Sequence, residues 1–556
     1  MPKQAIEQAL SDALQSVGVV DPRVHLEYPA ELEHGDYASG AAMQYAKQIG
    51  MTPRALAEKL VATMGAIDVV EKTEIAGRGF INFHLAPAAL AQSTEAALQE
   101  PWGRGDLLVG KKVMVEYTDP NPFKVFHIGH LMSNAIGEAI SRLIQYTGAE
   151  VRRANYQGDV GQHVAKAVWA VQKFGMEPSN AEQLGNAYAR GAEAYETDAQ
   201  AKVDIDAINA KVYDRSDADI NAIYDVGRKA SLEHFEKIYK MLGTTFDHYF
   251  FESETAPRGV ELVRAHPEVF EQSDGATVYK GEKVGLHTRV FLTSKSLPTY
   301  ETKDLGLAEL KNEIWPADVS ISVTAHEQAD YFKVILAAMK EFMPDIAAKI
   351  VHVSHGMMRF AEGKMSSRKG NVVTGESLLK DLIVVASERA KESRAEDHAK
   401  LAEQVAVAAI KYQILKQASG KDIIFDRERA LSLEGDSGPY LQYAYARTHA
   451  VVEKAKAENI TGEFDATIYG SKGPQEVARL LHRFPEIVAY AAGEREPHLL
   501  VNYLLPLAAA FNSWYAQEQI LDGTPEAAHK VAVTDAVRNT LKVGLWLLGI
   551  PAPEKM

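Results

Sequence analysis

The sequence predicts a multidomain α/β protein: a small α/β module first, then a domain built on a parallel sheet, then an all-helical domain. Three observations carry this. Helical and strand patterns alternate through residues 1 to about 105; a strand, a long amphipathic helix and a second strand occupy 112 to 156; strand patterns nearly vanish from about 386 onward. A length of 556 residues suits three or four domains at about 150 residues each.

Within 1–105, IEQALSDALQSV and PRALAEKLVATM have helical spacing, and EIAGRGFINFHL (74–85) reads as a strand after a Gly-rich turn. PWGRGD (101–106) reads as a linker. KVMVEYTD (112–119) is a strand ending at Pro120 and Pro122. Ile128, Leu131, Ala135, Ile136, Ala139, Ile140, Leu143 and Ile144 keep helical spacing, Gly148 suits the helix end, and VRRANY (151–156) is the next strand. Such a unit is a right-handed parallel crossover. Residues of about 175–290 are mixed and read as an insertion in a central domain spanning 106–385. DVSISVTA (318–325) and KIVHVSHG restore the alternation. From 386 to 556, long helical patterns form a bundle.

Composition is that of a globular protein, 46% hydrophobic and 24% charged, and the absence of cysteine excludes disulfides, thiolate catalysis and Cys-based zinc. No apolar run reaches the roughly 20 residues of a membrane span, and the N-terminus lacks a signal-peptide pattern. A cytoplasmic protein is expected, with no membrane partner. The net charge of −15 requires that any nucleic-acid partner meet a local basic face.

The stretch DPNPFKVFHIGH (119–130) sets His127 and His130 at the start of a helix that follows a parallel strand. Ligands of open α/β sheets bind at the carboxyl ends of strands, and a helix N-terminus favours phosphate. Histidines there can donate hydrogen bonds to phosphate oxygens in a transition state, and Gly129 leaves room for a flat base. Two capping histidines at a surface turn are the plainer reading. Far downstream, EGKMSSRKG (362–370) offers Lys364, Arg368 and Lys369 with Ser366 and Ser367, which suits either a triphosphate clamp or a solvated basic loop.

In this order the two pieces resemble the paired signature of class I aminoacyl-tRNA synthetases, and nearly the whole chain resembles the arginyl-tRNA synthetase family. EHGDYASGAAMQYAKQIGMTPRALAEKL and EIAGRGFINFHL are similar to its extra N-terminal domain; ALSLEGDSGPYLQYAYAR, FNSWYAQEQIL and LGIPAPEKM are similar to its helical anticodon-binding domain. The resemblance implies a Rossmann-like class I catalytic domain, a tRNA-binding N-terminal domain and an anticodon-binding bundle. It implies ATP-dependent activation of L-arginine, with ATP as its Mg2+ complex, and transfer to the 3′ end of arginine tRNA. No zinc, no organic cofactor and a monomer are expected. Amino-acid activation is expected to need bound tRNA.

Residue by residue, the resemblance implies an arginine site of Glu116, Asn121, Tyr300, Asp304 and Gln328. A planar, permanently charged guanidinium asks for carboxylates in its plane, which Glu116 and Asp304 can supply. His127, Gly129, His130, Lys364, Ser366, Ser367 and Lys369 are the implied ATP ligands. Phe80 and Asn82 match positions of the tRNA-corner contact, and Tyr440 and Arg447 are the chosen anticodon contacts among Tyr440, Gln442, Tyr443, Tyr445, Arg447, Asn512, Trp514 and Tyr515. Phe80 suits the core equally well.

The chain departs from the family pattern twice. Asp119 stands where many relatives have serine, and its role stays open. Ser367 stands where the loop's second lysine is expected, so Lys124 is assigned as the main phosphate cation and catalytic residue, with Lys364, Arg368 and Lys369 in support. A class I lysyl enzyme, a small-molecule nucleotidyltransferase and a catalytically silent tRNA-binding paralogue are the competing readings.

Overall fold

The structure, a computed structural model, describes residues 2–29, 31–360, 373–466, 468 and 475–556. The chain divides into two units: one of residues 1–103, 444–486 and 503–543, the other of 104–443, 487–502 and 544–556.

The first unit opens with α1 (Pro2–Ser16), whose Ile6, Leu10, Ala13 and Leu14 are buried, the spacing of one helix face. β1 (Tyr37–Ser39) is followed by α2 (Ala41–Ile49) and α3 (Pro53–Met64). Thr52 caps α3, accepting from the Ala55 N–H at 3.2 Å, with Pro53 at the first helical position. The segment 74–85 is not one strand. It is the hairpin of β2 (Val70–Ala76) and β3 (Phe80–Leu85), turning at Gly77 to Gly79, in an antiparallel sheet ordered β1-β3-β2. Gly79 has φ +129°, and a Cβ there would strike the Pro53 carbonyl, so glycine is required. α4 (Pro87–Ala96) completes the module.

The module shares its boundary with later helical residues of the same unit. Glu486 accepts from the Tyr28 and Tyr37 hydroxyls at 2.5 and 2.7 Å, Asp36 pairs with Arg479 at 2.5 Å, and Trp102 Nε1 donates to Thr540 Oγ1 at 3.0 Å. Apolar periodicity finds the module's own core but is blind to such long-range polar contacts.

The second unit is built on a five-stranded parallel sheet. Its strands are β4 (Lys112–Glu116), β5 (Glu150–Gln157), β6 (His248–Phe251), β10 (Val319–Ala325) and β11 (Ile350–His355), in the order β11-β10-β4-β5-β6. The expected insertion region therefore contains β6, an edge strand of the central sheet, and also a small antiparallel sheet of β7 (Glu271–Ser273), β8 (Ala276–Tyr279) and β9 (Arg289–Leu292). Helices α5 (Ile128–Tyr146), α6 (Gln162–Phe174), α7 (Ala181–Thr197), α8 (Ala199–Asp214), α9 (Ala218–Leu242), α10 (Glu252–Ala265), α11 (Tyr300–Ile314) and α12 (Ala329–Phe342) connect the strands.

Helix α5 starts beside the end of β4, and fourteen of its residues, Gly137 and Glu138 among them, are buried. A Cβ at Gly137 would overlap the Tyr117 ring, so the helix lies close against the residue that follows β4. The Tyr117 hydroxyl donates to Glu138 at 2.5 Å, and Glu138 pairs with Arg142 at 2.7 Å. Arg142 donates to the Trp546 carbonyl, and the fully buried Lys411 donates to the carbonyls of Leu242 and Gly549 at 2.7 and 2.8 Å. Burial pulls the Lys411 ammonium down to about 7. These bonds satisfy helix-end carbonyls and fix α5 from behind.

Beyond residue 373 the described chain is mainly helical, with helices Gly375–Ala390, His398–Leu415, Gly438–Ala457, Gln475–Glu494, His498–Gln517 and Ala527–Leu547. One short strand, Ile423–Phe425, pairs in parallel with Met358–Phe360.

Candidate active site

The turn from β4 to α5 is strained. Thr118, Asp119 and Phe123 have φ of 80°, 47° and 67°, in the left-handed region that non-glycine residues rarely adopt. Each such residue costs on the order of 1–3 kcal/mol, and the surroundings must hold it. The Thr118 N–H donates to Ser133 Oγ at 2.9 Å, Asn134 donates to Thr118 Oγ1 at 3.0 Å, and the Phe123 N–H donates to Ser231 Oγ at 3.0 Å. The Phe123 ring is fully buried against Tyr224.

At the start of α5 the two histidines form a reciprocal cap. His130 N–H donates to His127 Nδ1 at 3.3 Å, and His127 N–H donates to His130 Nδ1 at 3.2 Å. Their rings stack at 3.4 Å. Burial lowers both histidines, His127 to about 4 and His130 well below its usual range. A neutral ring whose Nδ1 accepts carries its proton on Nε2. Both side chains thus cap the helix and keep an Nε2–H donor. A Cβ at Gly129 would press on the His127 ring, so the glycine keeps this cap open.

Glu116, Asp119, Asp304 and Glu252 gather at the carboxyl ends of β4 and β6 and on α11. Glu116 pairs with Lys311 at 2.5 Å, and Glu252 pairs with Lys303 at 2.5 Å; all four side chains are buried. Asp304 accepts from the Tyr331 hydroxyl at 2.7 Å. Asp119 Oδ1 accepts from the Tyr156 N–H at 2.8 Å. Neither aspartate has an ion-pair partner among the described residues, so two of the four carboxylates lack a counter-charge. Burial pushes Asp304 up to about 8, opposed by the Tyr331 hydrogen bond and reinforced by Glu116 and Glu252. Burial and then Glu116 push Asp119 well up. A cavity of about 60 Å³ is lined by Glu116, Asp304 and Lys311 with Met114, Trp315 and Phe332. Buried carboxylates raised by desolvation and by one another favour a cationic ligand.

Asn121 lies beside this cluster, its Oδ1 accepting from the Gly158 N–H at 3.0 Å. Lys124 is partly buried, with its ammonium 5.0 Å from the centre of the Tyr188 ring, and burial lowers its pKa. Tyr300 is the first residue of α11 and is exposed, with Lys303 5.1 Å from its ring centre. Gln328 is exposed at the turn before α12, three residues ahead of Tyr331. Lys364, Ser366, Ser367, Arg368 and Lys369 lie outside the described residues.

Of the residues chosen for RNA, Phe80 is partly buried and Asn82 is buried. Tyr440 is partly buried, with its N–H donating to Ser437 Oγ. Arg447 donates to Asn512 Oδ1 at 2.6 Å and lies 5.0 Å over the Tyr515 ring, which is exposed. Gln442, Tyr445 and Trp514 are buried. The sequence reading missed Lys311, Tyr331, Glu252 and Lys303. Lys311 stands two helical turns after Asp304, a spacing that puts both on one face and could have flagged it.

Residues 98–427 match the family described as tRNA synthetases class I (R), catalytic domain; 3–85 match the arginyl tRNA synthetase N terminal domain; 441–556 match the DALR anticodon binding domain. The chain belongs to the arginyl class of class I tRNA synthetases. The arginine–tRNA ligase of Treponema pallidum is 31% identical, with 96% of this chain and 94% of that one covered. That of Clostridioides difficile is 30% identical, with 100% and 99% covered. The solved arginyl-tRNA synthetase of Thermus thermophilus matches over the full length of both chains, with a TM-score of 0.84 at 28% identity. The chain is therefore an aminoacyl-tRNA synthetase, a ligase that uses ATP. No helix among the described residues is long and apolar enough to cross a membrane.

Proposed function

We propose that this synthetase activates L-arginine with ATP, as its Mg2+ complex, to arginyl-adenylate and transfers the arginyl group to the 3′ end of arginine tRNA, releasing AMP and diphosphate. The observation that carries the arginine reading is the acidic pocket itself. Glu116 and Asp304 line one cavity, Glu116 is held by Lys311, and Asp304 has no ion-pair partner among the described residues, which suits a bound guanidinium.

In this reading Asp304 and the Lys311-paired Glu116 take the guanidinium. Tyr331 orients Asp304, and Asn121 serves the α-amino acid end. The exposed Tyr300 and Gln328 close over the substrate. His127 and His130 direct their Nε2–H donors at phosphate oxygens, where charge builds as the arginine carboxylate attacks the α-phosphate and diphosphate leaves. Lys124 adds the fixed cation, supported by Lys364, Arg368 and Lys369. Arg447 with Tyr515 forms a stacking and charged platform for an anticodon base.

The test is aminoacylation of total tRNA with arginine, lysine and glutamate in parallel. Arginine alone is expected to be charged, and charging of lysine or glutamate instead would overturn the reading. ATP–pyrophosphate exchange with arginine is expected only when tRNA is present.

A further inference from the structure

Behind α5, two cations grip the same two stretches of chain. Arg142 donates to the carbonyls of Gly243 and Trp546 at 2.8 and 2.7 Å. Lys411 donates to those of Leu242 and Gly549 at 2.7 and 2.8 Å. Leu242 and Gly243 end α9, and Trp546 and Gly549 close the last helix, Ala527–Leu547. Arg142 and Lys411 lie in the stretch that matches the catalytic domain, Trp546 and Gly549 in the stretch that matches the anticodon binding domain, and all four belong to one compact unit. A Cβ at Gly549 would meet Lys411 Nζ at 2.7 Å, so the lysine reaches that carbonyl only past a glycine. Capping alone does not call for this lysine, because α9 already ends on a left-handed glycine, Gly243, and a fully buried ammonium is costly. One carboxylate joins both cations to the site. Glu138 accepts from Arg142 Nε at 2.7 Å and from the Tyr117 hydroxyl at 2.5 Å, and its Cγ lies beside Lys411 at Gly549. Tyr117 directly precedes the strained pair Thr118 and Asp119, and Glu138 lies on the same unbroken helix as His130, about 12 Å along it.

We propose that Arg142 and Lys411 are positioning residues of the reaction: by tying the end of the chain to Glu138 they set the seat of α5, and with it the line along which His127 and His130 present Nε2. This rests on the assignment of the two histidines to phosphate. Neither cation touches the histidines. They act through α5, which is buried along fourteen of its residues, and a close-packed interior transmits a displacement rather than absorbing it. A misplacement of about 1 Å in an orienting group can cost 10²-fold in rate. The last residues of the anticodon-binding stretch are in this way part of the scaffold of the catalytic site.

Two variants of the full chain test this. Lys411→Met keeps the length of the side chain and removes both donations. Arg142→Lys keeps the charge beside Glu138 but lacks the fork that spans the Gly243 and Trp546 carbonyls, and it carries the test if Lys411→Met does not fold. Arginine-dependent pyrophosphate exchange is measured with tRNA present, at a temperature where circular dichroism shows the variants folded. Each variant is expected to lower kcat about 10- to 100-fold, with the KM for arginine and for ATP within about threefold of wild type. Each is then combined with His130→Asn. A cation that acts through the histidines gives a combined loss at least about threefold smaller than the product of the two single losses, whereas a cation that only stabilises the fold gives the full product. A kcat within about threefold of wild type in the single variants, or full products in the combined ones, overturns the proposal. Exchange unchanged in both His127→Asn and His130→Asn overturns the phosphate reading itself, and that result needs no variant at 142 or 411.

Discussion

His127 and His130 each accept the other's backbone N–H through Nδ1, at 3.3 and 3.2 Å, with their rings stacked. Helix capping and phosphate recognition are therefore not rival readings of this stretch, because the cap fixes the tautomer that makes Nε2 a donor.

Asparagine mimics the Nδ1 end of histidine but has nothing at Nε2. His127→Asn and His130→Asn are each expected to leave thermal stability near wild type and to lower arginine-dependent pyrophosphate exchange about 10²- to 10³-fold, the loss of one transition-state donor. A melting temperature that drops in step with activity would assign the histidines to the cap alone.

Asp304, pushed up to about 8, fixes a pH dependence. Below that pH the empty pocket holds the neutral acid, and a guanidinium must displace its proton to bind. The arginine KM is expected to fall as pH rises from 6 to 8 and to level off above about 8. A carboxyl raised above its unfolded value weakens the empty fold progressively as pH climbs from the ordinary carboxylate range towards 8. Arginine should therefore raise the melting temperature more at pH 8 than at pH 6. A KM independent of pH across this window refutes the assignment.

Lys311 holds Glu116 at 2.5 Å, both side chains being less than a tenth exposed. Lys311→Met leaves that carboxylate buried without a partner beside Asp304, a change of about 3–5 kcal/mol in stability for broken buried pairs. A lower melting temperature and a higher arginine KM are expected, with partial recovery in the double variant with Glu116→Gln. Additive effects of the two substitutions would rule out the pairing.

Lys124→Ala is expected to cut adenylation by roughly 10²-fold or more, with the arginine KM much less affected. A loss below about threefold would remove Lys124 from the phosphate site.

Arg447→Ala and Tyr515→Ala each remove one side of the pair formed by the partly buried Arg447 and the exposed Tyr515, 5.0 Å apart. Each is expected to raise the KM for tRNA about 5- to 100-fold, the worth of one stacked base, and to leave the arginine KM unchanged. Trp514 is buried and donates to Glu518 at 2.8 Å, so Trp514→Ala should lower the melting temperature instead.

Much of this protein is legible in the chain. The crossover over 112–156 follows from apolar spacing alone, and β4, α5 and β5 lie where that spacing puts them. The motifs around Asn121, Lys124, His127 and His130 are local in sequence, so their residues were found together. The hairpin at 74–85 was read as one strand because alternation runs through it; only the left-handed φ at Gly77 and Gly79 reveals the turn.

What the sequence by itself determined is the order of domains, the parallel sheet, and the residues at the helix start after β4, because these depend on patterns within a few turns of chain. Only the tertiary structure decided which charges face each other. Lys311 meets Glu116 from nearly 200 positions away, Lys303 meets Glu252, and Asp119 and Asp304 have no ion-pair partner among the described residues. Such pairings depend on the distance between groups that the chain brings together only when the sheet closes, and composition and periodicity carry no record of that distance. The same closure turned Asp119 from an unexplained departure into a strand cap.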